Sequence, residues 1–161
     1  MTTTLDVKLV PMTEKDLELV MAWRSHPEIF SFFKLQQKPL EWIEHHNFWI
    51  SRVNREDYII CYQQNKQWRK VGNLNISLLH TSCPEIGIVV GEVSLHGKGV
   101  GSKAVELGLK RLLKLGHTKA KVSIHQDNAA SNKLFKNFGF VKDSNNNSSP
   151  WLDYKLEDIL I

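Results

Sequence analysis

The chain has 161 residues, 42% hydrophobic and 24% charged, which predicts one globular domain over residues 1–161 with a core of its own. No apolar run approaches the roughly 20 residues of a membrane span, and Met1 to Asp6 has neither the basic region nor the apolar centre of a secretion signal. A net charge of +4 with scattered basic residues, and two isolated cysteines, Cys61 and Cys83, argue against a nucleic-acid partner, a disulfide framework and a metal site, and predict a cytoplasmic protein.

Val7 to Val10 reads as a first strand. Thr13 can cap a helix with apolar positions Leu17, Val20, Met21 and Ala22, which Pro27 ends or kinks. Pro39 to Arg52 reads as a second helix, rich in aromatics. Tyr58 to Gln63 and Val71 to Leu79 read as a hairpin across a turn at Gln64 to Arg69. Pro84 opens a strand that runs to Val90. From Ser102 to Leu115 the apolar residues Val105, Leu109, Leu112 and Leu113 recur every three or four positions, so a helix with one apolar face follows. Ala120 to His125 reads as a strand. Asn128 caps a helix with Ala129, Leu134 and Phe135 inward, and Phe138-Gly139-Phe140 ends it. Val141 and Trp151 to Leu156 form a last strand pair across the polar turn Ser144 to Pro150. This order predicts a mixed α/β sheet.

Between the strand ending at Val90 and the helix beginning near Ser102 stands His96-Gly97-Lys98-Gly99-Val100-Gly101. A strand, a glycine loop and a helix start can hold a phosphate. Glycine lets the backbone come close to a charged oxygen, and the helix start adds free N–H groups and partial positive charge. The spacing excludes two familiar loops. Lys98 is followed by Gly99 rather than a hydroxyl residue, and a third dinucleotide-loop glycine would fall at Ser102.

The pattern of one polar residue, two others and Gly-x-Gly resembles the acetyl-coenzyme A loop of the GNAT acyltransferase family, with His96 where that family prefers Gln or Arg. Glu85 to Gly91 resembles the family's fourth strand. His125 to Asn128, with Ser131, Asn132, Lys133 and Leu134, resembles its fifth strand and next helix. Phe138-Gly139-Phe140 resembles the exit from that helix. The resemblance spans nearly the whole chain. It implies a single-domain, mostly antiparallel mixed sheet with splayed central strands, flanked by helices. It also implies transfer of an acetyl group from acetyl-coenzyme A to a primary amine by direct attack, with no metal.

The resemblance assigns the pyrophosphate to the loop from His96 through Gly97, Lys98, Gly99, Val100 and Gly101 to Ser102. The pantetheine arm falls to backbone groups of Ile88, Val89 and Val90, and further cofactor contacts to Asn128, Asn132 and Phe135. Glu85 is the expected base, with His80 and His125 as rivals. Family members often carry a Tyr at the position of Phe135 to protonate the leaving thiolate, and Phe135 has no proton to give. For the acceptor, Trp23-Arg24 followed by His26-Pro27 resembles a branch that acetylates amino sugars carried on nucleotides. Trp23 and Arg24 would then bind substrate, beside an aromatic second helix (Trp42, His45, His46, Trp49) and Glu85. A core role for Trp23, a polyamine or protein N-terminus as acceptor, and cofactor binding without turnover stand as alternatives. Exposed strand edges leave a homodimer open.

Overall fold

The computed structural model describes residues 5–34, 36–144 and 150–161. Alternating side chains build β1 (Val7–Pro11), β2 (Glu56–Gln64), β3 (Gln67–Ser77), β4 (Glu85–Val90), β5 (Ala120–His125), β6 (Val141–Lys142) and β7 (Trp151–Leu156). They form one sheet in the order β1-β2-β3-β4-β5-β7-β6. Every pairing is antiparallel except β4 with β5. Those two strands share a single paired position, Glu85 with Lys121, and then part. The mixed, mostly antiparallel sheet matches the expected fold class.

The β2–β3 turn is shorter than the six residues expected. Asn65 and Lys66, at φ 50° and 64°, make a two-residue reversal, and β3 begins at Gln67. The five residues 145–149 of the expected polar turn lie outside the described residues.

The long amphipathic helix is α4 (Val100–Lys114), which buries Val105, Leu109 and Leu112 completely against Leu74, Ile76 and Ile86 of the sheet. α5 (Ala129–Asn137) adds Phe135, set edge-to-face on Phe140 at 5.2 Å, while Ala129 is exposed rather than inward. On the opposite face, α1 (Leu17–Arg24) places Val20 and Trp23 on Ile59, Cys61 and Val89. Leu17 and Val20 are buried as expected, but the stripe continues to Trp23 rather than to Ala22, which is exposed, because Trp23 lies about one helical turn beyond Val20.

Thr13 caps a 3-10 turn, Glu14–Asp16, rather than the α-helix itself, and its N–H donates to the Asp16 carboxylate at 2.9 Å. Pro27 does not merely stop α1. It is the first residue of α2 (Pro27–Phe30), capped by His26, whose Nδ1 accepts from the Glu28 N–H at 3.2 Å. The second aromatic helix is α3 (Trp42–Ser51), which buries only His45. Among the described residues no helix is long and apolar enough to cross a membrane.

Candidate active site

Alternation gives the central sheet two unlike faces. Leu74, Ile76, Ile86, Val122, Ile124 and Tyr154 face the helical core. The residues between them, Asn73, Asn75, Glu85, Ser123, Asp153 and Lys155, line the opposite side. That polar face is the floor of a cleft of about 1810 Å³, which runs from the glycine loop past β4 and β5 to α1, α2 and α3.

At one end, Gly97 and Gly99 adopt φ of 75° and 88°, left-handed values that favour glycine. Gly99 is the N-cap of α4, and the first helical N–H to reach back is that of Lys103, to the Gly99 carbonyl at 3.0 Å. The N–H groups of Val100, Gly101 and Ser102 are therefore the orphan donors of the helix start. His96, Gly97, Gly99, Gly101 and Ser102 all line the cleft. Val100 can contribute only its backbone, because its side chain is 1% exposed in the core. Lys98 is exposed and lies outside the cleft wall. Gly101 sits in a narrow gap: a Cβ there would meet Leu134 at 3.2 Å and Val90 at 3.7 Å.

The register says which β4 groups face the gap toward β5. The Gly91 N–H donates to the Val71 carbonyl at 2.8 Å, so hydrogen-bonded pairs on β3 alternate back along the strand from there. Val89 thus turns its N–H and C=O to β3, where its oxygen would stand 2.1 Å from a Cβ on Gly72. Ile88 and Val90 turn theirs to the gap. Of the three residues expected to supply gap-facing groups, Val89 does not. The Val90 carbonyl has a partner of its own: His96 Nε2 lies 2.7 Å away, and since a carbonyl only accepts, the ring nitrogen donates. The loop histidine therefore ties the loop to the end of β4, a link that glycine spacing gives no hint of.

Asn128 lines the cleft and caps α5, accepting from the Ser131 N–H at 3.2 Å. Asn132 does not reach the cleft. Its amide donates to the carbonyls of Asn128 (2.9 Å) and His125 (3.3 Å), and its oxygen accepts from Tyr154 at 2.9 Å. It faces a separate hollow of about 530 Å³ beneath α5. Phe135 is 1% exposed and touches the cleft from its core side.

Glu85 lies on the floor at the one β4–β5 rung. Burial pushes its carboxyl above the usual carboxylate range, a push that Lys121 opposes and Asp153 reinforces. A carboxylate raised in this way is a better proton acceptor than a solvated one. His125 is half-buried between Phe32 and Trp151, with ring centroids 5.5 and 5.2 Å away, and its Nδ1 accepts from the Asp127 N–H at 3.1 Å. That bond fixes the tautomer, so the Asp127 carboxylate, 3.9 Å from Nδ1, is no partner of a neutral ring. Trp151 also donates from Nε1 to the Phe32 carbonyl at 3.3 Å, so this group roofs the cleft. His80 is exposed and outside the cleft.

Neighbours on α1 part company. Trp23 is 8% exposed in the core and does not line the cleft, whereas Arg24 does. Arg24 lies 5.1 Å from the Phe33 ring, and its Nε is buried with no partner among the described residues. Burial weighs against its charge, and nearby Arg55 does the same. Asp57, which binds Arg55 through bonds of 3.0 and 2.7 Å, opposes that push only in part. From α3 only Glu44, His45 and Phe48 reach the cleft: Trp42 stacks on His46 at 5.7 Å, and Trp49 carries Arg52 at 3.1 Å. Among the described residues no group of three His, Cys, Asp or Glu side chains is placed to hold a metal ion.

Residues 6–141 match a family described as the acetyltransferase (GNAT) domain. The chain is 47% identical over 141 residues to an uncharacterised protein of Methanocaldococcus jannaschii, a match that takes in 88% of this chain and 29% of that protein's length. A domain from the same organism has a similar structure, with a TM-score of 0.91 and 43% identity over 95% of this chain and 99% of that one. The aminoglycoside acetyltransferase AAC(6')-Ib in complex with ribostamycin and coenzyme A has the same fold, with a TM-score of 0.79 and 17% identity over 94% and 93% of the two chains.

Proposed function

We propose, because this chain belongs to the acetyltransferase (GNAT) domain family, that its acetyl acceptor is a small-molecule primary amine, an amino sugar carried on a nucleotide. Residues 1–161 act in this reading as one acetyl-coenzyme A-dependent N-acetyltransferase domain. The observation that carries the acceptor assignment is Arg24, a desolvated guanidinium on the cleft wall whose Nε has no partner among the described residues. A guanidinium pairs well with phosphate oxygens.

The residues present fit coenzyme A. Two left-handed glycines and the orphan N–H groups of α4 suit its pyrophosphate. Ile88 and the Val90 N–H suit the amide arm, while His96 occupies the Val90 carbonyl. Acetyl-coenzyme A would supply the acetyl thioester: the C–S bond breaks as the C–N bond forms, and the thiolate takes the second proton that the nitrogen sheds. Glu85 takes a proton from the substrate ammonium, which at neutral pH is mostly protonated at a solution pKa near ~10. The amine then attacks with its lone pair free. An N–H on β4 facing the gap polarises the carbonyl under attack.

The polyamine alternative fits less well. Of the carboxylates near α1 to α3, Asp16 is bound to Lys70 and Glu41 to Lys38, and a polycation drawn to Glu28 and Glu44 on the cleft wall would have to lie beside Arg24. The test is thiol release from acetyl-coenzyme A with uridine diphosphate amino sugars, free amino sugars, polyamines and peptides. Release with the nucleotide-linked sugars supports the reading. Tight coenzyme A binding with no release for any amine would overturn it in favour of a binding domain without turnover.

A further inference from the structure

The unpartnered buried polar atoms of the described residues fall on side chains that line the cleft. Among the described residues, the buried side-chain polar atoms without a partner are Arg24 Nε, Gln36 Oε1, Asn73 Oδ1 and Ser123 Oγ. All of these residues line the same cleft. Buried polar atoms in folded proteins are nearly always paired, so a set of exceptions on one surface calls for a ligand that pairs them.

Their chemistry is specific. Gln36 is 9% exposed, and its Nε2 donates to the carbonyls of Arg24 (2.6 Å) and Lys38 (3.0 Å). Those bonds fix the amide, so the oxygen is the atom left over. Asn73 is 6% exposed, on β3 opposite Val89. Ser123 is on β5, two residues past the Glu85–Lys121 rung. Gln36 and Asn73 require donors, Ser123 can give or accept, and Arg24 Nε requires an acceptor. The residues that carry them surround the cleft from α1, from the segment after α2, from β3 and from β5. A peptide main chain pairs along one strand edge, not around a cavity. A polyamine in its charged form has donors and no lone pair for Arg24. Hydroxyl groups on a compact ring meet both needs.

We infer that Gln36, Asn73 and Ser123 determine acceptor specificity, selecting an amine that carries several hydroxyl groups. The inference rests on the acetyl-transfer reading above for which molecule enters the cleft, and it is tested by binding as well as turnover. Calorimetric titration of coenzyme A-saturated protein with UDP-glucosamine, glucosamine, spermidine and an alanyl tetrapeptide ranks the classes. Wild type is expected to bind the two sugars at least tenfold more tightly than spermidine or the peptide. Asn73→Leu and Ser123→Ala are each expected to weaken sugar binding about tenfold, the loss that follows when a buried hydrogen bond goes unmade. Ser123→Ala removes one oxygen and keeps the test decisive if Asn73→Leu fails to fold. Unchanged sugar binding in the folded variants, as when water alone satisfies these atoms, overturns the inference. So does equal or tighter binding of spermidine or the peptide. Acetyl transfer by wild type to any of these amines upholds the enzyme reading whatever the variants do. Sugar binding that the variants weaken, without any transfer, would remove that reading and leave the specificity assignment standing.

Discussion

The indole of Trp23 lies directly on the backbone of Gly91: a Cβ at position 91 would stand 2.1 Å from the Trp23 Cγ. Helix α1 is thereby seated on the chain just past β4, and Arg24, the next residue, is carried to the cleft wall. Gly91→Ala is expected to lower stability by about 1–3 kcal/mol, the cost of overpacking a filled site. Urea denaturation reads the loss. Acceptor KM should rise more than coenzyme A Kd, because the displaced element is α1 and not the glycine loop.

Replacing Glu85 by Gln should lower kcat by about 10²- to 10⁴-fold, the usual contribution of a positioned general base. With Glu85 as the base the active form is the carboxylate, so wild-type activity is expected to fall as pH drops through a pKa that burial has raised. The acid limb of the rate profile therefore lies above the ordinary carboxylate range, and Glu85→Gln loses that limb. The sign for stability is opposite. The folded state holds this proton more tightly than the unfolded chain, so ionised Glu85 weighs against folding above its unfolded pKa. Glu85→Gln should unfold no earlier than wild type at neutral pH, as thermal melts will show.

His96 holds the loop through one bond to Val90. His96→Leu is expected to raise the coenzyme A Kd about threefold to tenfold, the worth of one hydrogen bond. His96→Gln keeps a donor and should recover part of that loss. Equal affinity in all three proteins would show that the tie does not order the loop.

Asp16 joins the turn before α1 to β3 through Lys70 Nζ at 2.5 Å and the Thr13 N–H at 2.9 Å. Burial pushes its carboxyl up, but the bonds from Lys70 and Thr13 together outweigh that and leave it below the usual value. Its stabilisation is present above the unfolded pKa and is lost as pH falls through the lowered folded one. Asp16→Asn should cost about 1 kcal/mol at pH 7, at the low end for a buried bond because Lys70 is half exposed. Urea titrations at neutral and strongly acidic pH should show the difference shrinking toward the acid end.

The parts of the site legible in the sequence are those with a local cause. Gly97 and Gly99 stand where the backbone turns left-handed, Asn128 caps the helix it precedes, β4 follows an apolar run and β5 follows its apolar alternation. What depends on packing between distant elements was hidden. One residue of helical phase separates Trp23 in the core from Arg24 in the cleft. The strand register, not the residue type, turns Val89 away from the gap and Ile88 toward it. The polar residues at 73, 75, 121 and 123 alternate with apolar ones, as on the solvent side of an ordinary strand. Their place in the middle of a sheet, where a solvent face is covered by helices, was the available signal.

The parting of β4 from β5 means that the sheet is two smaller sheets, β1–β4 and β5–β7–β6, held edge to edge at a single rung. Amides of Ile88 and Val90 along that seam should exchange with deuterium faster than those of β3, and slow when a ligand's amides bridge the seam. Binding would then raise the melting temperature by mass action and by splicing the two halves together. Glu85 occupies the rung itself, so the residue assigned to move the proton stands at the fulcrum, where opening of the seam displaces it least.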